Sequence, residues 1–401
     1  MEKLDRILAS YTAQGDETVG KVLGAAFVVT DRNGTIYSGA SGRLDGPQSS
    51  PAFADNSYSW VASLTKLLTS ISAMQLVERG LITLDEDLRP KIPYFQTVQI
   101  LTGFDDNDKP LMKSNTKPIT LRHLLTHTSG FSYEFSDPKL LKWSRQQGNK
   151  VSRVHWSVKE VSTPLRHEPG ELFTYGVSTD WAGLVIEHVT GQRLGDYMQA
   201  NIFGPLGMKD SGFRRMRKPH VEDRTVVNSL RHPKTGKLVE SGWILPDQHH
   251  EVDSGGGGLF TTAADYACVL RGFLDNKLLK SETSQEMVRP QLGDAQRQWL
   301  ERVAFHPTVK NTFVAEFDSP VPLNHGLGGV LNTENVPGKR RAMSMAWSGI
   351  HCSRWWIDPT TGIGAVLILN IRPHGDQVVA RLYQDLEAAV YSQLLPAKGK
   401  L

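Results

Sequence analysis

Strand-like segments joined by short turns occur at both ends of this 401-residue chain. Residues 22–30 are apolar and precede the turn signal 31–34, after which a return strand begins at Thr35. The strand-like segments near the other end are 341–347, 354–357 and 364–370. A turn at 358–362 separates the last two. Because such short turns join antiparallel neighbours, the sequence predicts one antiparallel sheet built from both chain ends.

The middle of the chain has helical spacing of its apolar residues instead. The helices predicted there are 63–79, 121–126, 139–145, 179–188 and 194–202, with a polar hairpin at 100–118. Terminal helices, one ending at about Gln14 and one starting near Asp376, are predicted to flank the sheet. We therefore expect an α/β (α+β) fold in a single domain 1–401. A sheet lobe (1–60 and about 215–401) and a mainly helical lobe (about 61–214) would enclose the active site in the cleft between them.

The charge balance argues against a nucleic-acid partner, and the hydropathy pattern argues against a membrane-spanning helix. Lys and Arg number 45 against 42 Asp and Glu, a net charge of +3, which is too balanced for a nucleic-acid binder. The basic stretch of Arg214, Arg215, Arg217 and Lys218 lacks interleaved aromatic residues and is interpreted as a solvated loop. The longest apolar stretch, 363–371, is about half of what a membrane helix needs. We expect neither nucleic acid nor membrane as a partner.

Cysteine and histidine spacing gives no indication of a metal or a cofactor. The two cysteines, Cys268 and Cys352, have neither metal-type spacing nor enough partners for a disulfide framework. The pair His249 and His250 has no further ligands nearby and is interpreted as a polar loop. The first residues mix both charges and do not resemble a secretion signal. The prediction is a cytoplasmic protein in a reducing compartment, with no cofactor.

Among known catalytic sequence motifs, the candidate in this chain is the short pattern S-x-x-K. It occurs three times, at Ser63/Lys66, Ser114/Lys117 and Ser136/Lys139. Ser114 lies in the polar hairpin, and Ser136 lies at an ordinary helix start, so both are interpreted as structural. Ser63 instead opens a helix that is apolar on most sides and therefore largely buried.

A lysine in the first turn of a buried helix requires an explanation, because burying an ammonium ion is costly unless it is paired or neutralised. The i, i+3 spacing places Lys66 on the same face as Ser63, where it can act as a base toward the hydroxyl. The alternative is that Ser63 is a helix cap and Lys66 extends to solvent. Tyr175, on a loop just before another helix, is a second candidate base, with a packing role as its alternative.

Together, several segments resemble class C β-lactamases, the related serine esterases and, most of all, the lovastatin-type fungal acyltransferases of the serine β-lactamase and penicillin-binding-protein superfamily. The segments that carry the resemblance are 57–80, 119–130, 169–175, 204–208, 256–259 and 355–373. The resemblance covers nearly the whole chain. It implies that Ser63 is the nucleophile, Lys66 its base partner and Tyr175 a second base.

The resemblance also implies an oxyanion hole and a substrate-binding strand. The third motif of the family, K-T-G, corresponds here to Trp347, Ser348 and Gly349, and the backbone N–H groups of Ser63 and Ile350 would form the oxyanion hole. Two departures make the site more apolar. Trp347 replaces the motif lysine, and Val177 replaces an asparagine two residues after Tyr175. His351, which follows the proposed oxyanion donor, is a candidate substrate contact.

Two classes of function follow from these residues. In the first, an acyl group from a thioester or ester acylates Ser63 and passes to a small-molecule hydroxyl acceptor or to water, as part of secondary metabolism. An acyl-carrier domain is an alternative donor. In the second, the chain is a catalytically silent binding homologue, although a silent protein has no physical reason to keep a buried lysine. Within the first class, an acyltransferase and a carboxylesterase share the same acyl-enzyme, so the sequence leaves both open.

Overall fold

The computed structural model describes residues 1–149, 156–214, 218–241, 250–397 and 399. Its strands are β1 (Gly24–Asp31), β2 (Gly34–Gly42), β3 (Ser59–Trp60), β4 (Gln99–Phe104), β5 (Pro110–Ser114), β6 (Ser229–Arg231), β7 (Leu238–Glu240), β8 (Phe260–Thr261), β9 (Leu323–His325), β10 (Val330–Asn332), β11 (Ser344–Ser348), β12 (Arg354–Asp358), β13 (Ile363–Ile368) and β14 (Ile371–Arg372). The β4–β5 pair confirms the predicted polar hairpin.

The helices occupy mainly the middle of the chain. They are α1 (Glu2–Tyr11), α2 (Thr65–Glu78), α3 (Pro93–Thr97), α4 (Leu121–Leu125), α5 (Pro138–Gln146), α6 (Val158–Val161), α7 (Ser178–Thr190), α8 (Leu194–Met198), α9 (Gly204–Leu206), α10 (Ala263–Leu274), α11 (Ser281–Met287), α12 (Asp294–Ala304), α13 (Lys310–Phe313), α14 (Gln377–Ala389) and α15 (Leu395–Ala397). None of these described helices is long and apolar enough to cross a membrane.

A seven-stranded antiparallel sheet joins the two ends of the chain, as predicted. Its strand order is β2-β1-β13-β12-β11-β10-β9. Strand β13 therefore lies between the N-terminal hairpin and the other C-terminal strands, and Val28 of β1 pairs with Val366 of β13. Both predicted turns are held by aspartates: Asp31 accepts from the Gly34 amide at 3.1 Å, and Asp358 accepts from the Thr361 amide at 2.9 Å.

The two faces of the sheet are covered by different helices. On one face, α1 and α14 pack through a buried cluster that includes Leu8, Phe27, Trp356 and Leu382. On the other face, α10 approaches so closely that a Cβ on Gly364 would lie 2.8 Å from the Leu270 Cβ. The layers are thus helix, sheet, helix, and the helices of the middle segment continue the core beyond α10.

Three predicted boundaries differ from the structure. Helix α1 ends at Tyr11 rather than near Gln14, because Thr12 turns extended and pairs with Val22. The helix predicted to start at Ser63 begins as the 3₁₀ turn Ala62–Leu64. The segment 194–202 leaves α-helix after Met198 and continues as a π turn, Gln199–Phe203. The division into two lobes stays a prediction, and residues 215–217 at its second boundary lie outside the described residues.

Candidate active site

The 3₁₀ turn Ala62–Leu64 presents Ser63 at the start of helix α2. Ala62 has φ +46°, an unusual backbone conformation for a residue with a side chain, and such conformations cluster at functional sites. Thr65 fixes the turn through two hydrogen bonds: its hydroxyl donates to the Ala62 carbonyl at 2.5 Å and accepts from the Leu259 amide at 3.0 Å. Through Thr65, the backbone at Leu259, just before strand β8, holds this turn in its unusual conformation.

Ser63, Lys66 and Tyr175 meet in the structure. The Lys66 Nζ lies 3.2 Å from the Ser63 Oγ, and the Tyr175 hydroxyl donates to the same Oγ at 2.8 Å. The i, i+3 spacing on a helix accounts for the first contact. The second depends on the loop before α7, which carries Tyr175 across from a part of the chain far from Ser63. Ser63 is half-buried, and Lys66 is buried.

Two further groups complete the surroundings of Lys66. Its Nζ donates to the Gly256 carbonyl at 2.6 Å and lies 3.2 Å from the Tyr133 hydroxyl. Burial raises the pKa of Tyr133 well above its ordinary value, and the neighbouring Tyr175 and Asp180 side chains raise it further. Tyr133 is therefore a neutral phenol, able to donate or accept a hydrogen bond but unsuited to act as a base.

The hydrogen-bond inventory shows what this cluster can do. The Gly256 carbonyl can only accept, so Lys66 always donates to it. As an ammonium ion, Lys66 also donates to the hydroxyls of Ser63 and Tyr133. As a neutral amine, it has a lone pair that can take the Ser63 proton. The cluster can thus hold a proton removed from the nucleophile.

The end of strand β11 forms the opposite wall. The Trp347 indole N–H donates to the Tyr175 hydroxyl at 3.4 Å. A Cβ on Gly349 would lie 2.5 Å from the Val61 carbonyl oxygen, so only glycine allows this strand to approach the Ser63 turn. The Ser348 hydroxyl donates to the Thr312 carbonyl at 2.7 Å and lies 3.1 Å from the His374 Nε2. The residues at the third-motif position are therefore packed against the Ser63 turn.

A cavity of about 590 Å³ opens onto Ser63. Most of its large lining side chains are aromatic: Trp60, Tyr133, Phe135, Phe173, Tyr175, Trp299, Phe313 and Trp347. Phe135 and Trp299 are 42% and 38% exposed, so apolar surface reaches solvent at this site. The volume and lining are those of a site for an apolar small molecule with a few fixed polar groups.

Comparison with known proteins shows the family of this chain. A family model described as Beta-lactamase covers residues 5–390. The chain belongs to the Beta-lactamase family. The sequence-based resemblance to this family is thereby confirmed.

Individual relatives of this Beta-lactamase family member are acyl-transfer enzymes. A lovastatin esterase from Penicillium rubens is 35% identical over 97% of this chain and 99% of that protein. Monacolin J acid methylbutanoyltransferase from Aspergillus terreus is 33% identical over 83% of this chain and 81% of that protein. The structure of simvastatin synthase LovD from Aspergillus terreus, in its LovD6 variant, has a TM-score of 0.89 at 30% identity, covering 98% and 95% of the two chains. The chain is an enzyme of this acyltransferase and esterase branch.

Within this family site, the structure separates the predicted substrate contacts into two groups. Trp347, Ser348 and Ile350 line the cavity. Gly349 lies behind them against the Ser63 turn. Val177 is fully buried in the core at the start of α7. His351, predicted as a substrate contact, is not part of the cavity lining. It is 1% exposed and packs edge-on against Trp60, with ring centroids 4.8 Å apart.

Sequence reasoning missed four groups near the nucleophile: Tyr133, Asp180, His325 and His374. No local signal marks them, because each is an ordinary residue type in an ordinary segment. Near Tyr175, the buried rings of His127 and His325 lie 5.8 Å apart, and both pack against Trp347. Burial lowers the pKa of His127 well below its usual value and that of His325 to about 4. Both are therefore neutral packing groups.

Within the glycine run 255–258, Gly256 and Gly257 line the cavity, and the Gly256 carbonyl accepts a hydrogen bond from Lys66. His250 approaches Asp253 at 3.3 Å, while His249 lies outside the described residues. No metal-binding cluster occurs among the described residues. Arg214 pairs with Asp253 at 3.0 Å, and Arg215 and Arg217 lie outside the described residues.

Proposed function

We propose that this enzyme moves an acyl group from a thioester or activated ester to a small-molecule hydroxyl acceptor, through an acyl-Ser63 intermediate, in secondary metabolism. The observation that carries the proposal is the Ser63 hydroxyl held between Lys66 at 3.2 Å and Tyr175 at 2.8 Å on an aromatic cavity. The names of relatives support the reaction class, since several are acyltransferases.

The proposed first half-reaction forms the acyl-enzyme. Ser63 Oγ forms a bond to the acyl carbon while its proton moves onto the pair Lys66 and Tyr175. The amide N–H groups of Ser63 and Ile350 bind the developing oxyanion, a contribution of about 3 kcal/mol for each donor. The same proton then passes to the leaving oxygen or sulfur as its bond to the acyl carbon breaks.

The second half-reaction reverses these steps with a hydroxyl acceptor. The acceptor oxygen attacks the acyl carbon, its proton moves to Lys66 and Tyr175, and that proton returns to Ser63 Oγ as the ester bond breaks. The donor is a small-molecule thioester or ester, with an acyl-carrier domain as an alternative source. Every proton in this scheme moves between side chains and substrate, without a cofactor.

The apolar wall favours acyl esters over β-lactams. By the family resemblance, Trp347 stands in the cavity wall where the motif has a cationic lysine, and Val177, which is fully buried and outside the cavity lining, stands where it has a polar asparagine. The site thus lacks both groups that would hold a β-lactam, while the aromatic lining shields the acyl-enzyme from water. We expect slow β-lactam turnover as a consequence.

Hydrolysis is the second candidate function. Its support is the match to the lovastatin esterase, which spans almost the full length of both proteins. The two activities use the same acyl-enzyme and differ in whether water or an alcohol reaches it. A silent binding role is disfavoured, because the Ser63, Lys66 and Tyr175 contacts are intact.

Turnover of an acyl thioester, measured with and without candidate alcohols, tests the proposal. We expect an aliphatic acyl thioester to turn over faster when a suitable alcohol is present, and the Ser63→Ala variant to be inactive and unlabelled by a fluorophosphonate probe. A cephalosporin with a higher kcat/KM than every ester and thioester tested would exclude the proposed specificity. Brisk ester cleavage that no alcohol redirects would establish the esterase instead.

A further inference from the structure

Asp180 is a buried carboxylate beside the catalytic cluster that no sequence motif identified. It lies in the first turn of α7 and is 4% exposed. Its Oδ1 accepts a hydrogen bond from the Ser254 hydroxyl at 2.5 Å and from the Gly256 amide at 3.0 Å. A carboxylate in the first turn of a helix is favoured by the helix dipole. The aspartate is thus fixed by its neighbours and faces the glycine turn.

The glycine turn connects Asp180 to Lys66. Gly256 donates its amide to Asp180, and its carbonyl accepts from Lys66 Nζ at 2.6 Å, the shortest of the three contacts of that nitrogen. A Cβ on Gly256 would lie 2.3 Å from Asp180 Oδ2, so this packing requires glycine. The carboxylate therefore sets the position of the carbonyl that holds the lysine.

The charge of Asp180 also reaches the groups around Lys66. Tyr133, in contact with the lysine, has its pKa raised in part by this carboxylate. The other titratable groups that face the lysine are Tyr175, whose ring lies 4.9 Å from Nζ, and the neutral, buried His127. Asp180 is the one carboxylate among these described groups.

We propose that Asp180 is the positioning residue and counter-charge of Lys66. It holds the Gly256 carbonyl in place and stabilises the ammonium form that Lys66 adopts after taking the Ser63 proton. The carboxylate acts through the glycine turn and exchanges no proton with the substrate. This inference rests on the proposed function, because it assigns a role within the same proton transfer.

The test compares Asp180→Asn with Ser254→Ala, using the rate at which a fluorophosphonate labels Ser63 across pH. Asparagine can still accept from Ser254 and Gly256 but has no charge. We expect the acid limb of the pH profile to move by about one pH unit to lower pH, because the ammonium form loses its counter-charge, and the plateau rate above that limb to be up to about 10-fold lower, because the Ser63 proton moves to a weaker base. Ser254→Ala removes a hydrogen bond and keeps the charge, so its acid limb should stay in place.

Wild-type labelling separates this inference from the proposed function. A wild-type enzyme that is not labelled at Ser63 would overturn the proposed function itself. A labelled wild type with an unchanged rate and pH profile in Asp180→Asn would overturn only the role of Asp180, and so would an equal displacement in Ser254→Ala. If Asp180→Asn does not fold, Asp180→Glu decides: a lower rate with an unmoved acid limb supports the role, and a wild-type rate excludes it.

Discussion

In the proposed mechanism, Lys66 and Tyr175 both handle the Ser63 proton and act as one unit. We expect Lys66→Ala and Tyr175→Phe each to lower kcat by at least about 10²-fold, the usual effect of removing a general base. Thermal unfolding should show that both variants remain folded, because Tyr175→Phe keeps the aromatic ring and Lys66→Ala removes an ammonium group that is costly to bury. Steady-state kinetics with an activated ester provide the measurement.

The double variant provides the control for this mechanism. Residues that act together lose most of the rate when either one is removed, so the two effects should not add. A double variant whose kcat falls by the full product of the single effects would show independent roles for Lys66 and Tyr175.

At the residue scale, local spacing made part of the site predictable. Ser63, in the 3₁₀ turn, and Lys66, in the first turn of α2, are three residues apart, and this spacing brings their side chains together. Tyr133 and Asp180 could not be found this way. Tyr133 is 67 residues from Lys66, and Asp180 is 76 residues from Gly256. Only the folded chain brings such distant segments into contact. Tyr175 could be predicted because its position on a loop before a helix and the family resemblance both pointed to it.

At the element scale, strand β11 can approach the Ser63 turn because Gly349, which follows the strand, has no side chain. Gly349→Ala would place a Cβ 2.5 Å from the Val61 carbonyl oxygen and force the strand away from Ser63. Displacing catalytic groups by about 1 Å can cost about 10²-fold in rate, and we expect a loss of this size in kcat. The rate of Ser63 labelling measures the same displacement.

Gly103→Ala is the matched control for Gly349→Ala. A Cβ at Gly103, in the β4–β5 hairpin, would meet nothing within 4 Å. This control should keep the wild-type labelling rate and melting temperature. A Gly349→Ala enzyme that labels as fast as the control would show that β11 does not position the site.

The elements themselves were predictable where turns or caps mark them. Asp376 accepts from the Val378 and Val379 amides and starts α14 as expected. The change at Met198 from α-helix to π turn was not predictable, because the apolar spacing of 194–202 continues through it. The 3₁₀ turn at Ser63 escaped prediction for a related reason, since helical spacing does not distinguish a tight first turn from an α-helical one.

At the scale of the whole molecule, buried neutral histidines make stability depend on pH. Burial lowers the pKa of His325 to about 4 and that of His351 to about 3, against about 6.5 in an unfolded chain. As the pH falls below about 6.5, the unfolded state binds protons that the folded state does not. The free energy of unfolding should therefore fall by about 1.4 kcal/mol per pH unit for each such histidine down to its folded pKa.

His351→Phe tests this assignment. The phenyl ring can keep the edge contact with Trp60 but cannot take up a proton, and the His351 ring nitrogens have no hydrogen-bond partner among the described residues. Denaturant unfolding at several pH values between about 4 and 6.5 should give a shallower pH dependence for the variant. An unchanged dependence would assign the loss of stability to other groups.

Strand β13 lies between β1 and β12, so the N-terminal hairpin has no neighbour on that side until residues 363–368 have been synthesised. During translation, the ribosome must produce most of the chain while β1 presents an open edge, which is a template for wrong pairing. The Ser63 turn likewise emerges long before β11. Activity should therefore appear only late in synthesis, and folding should be slow, because its decisive contacts join residues far apart in sequence.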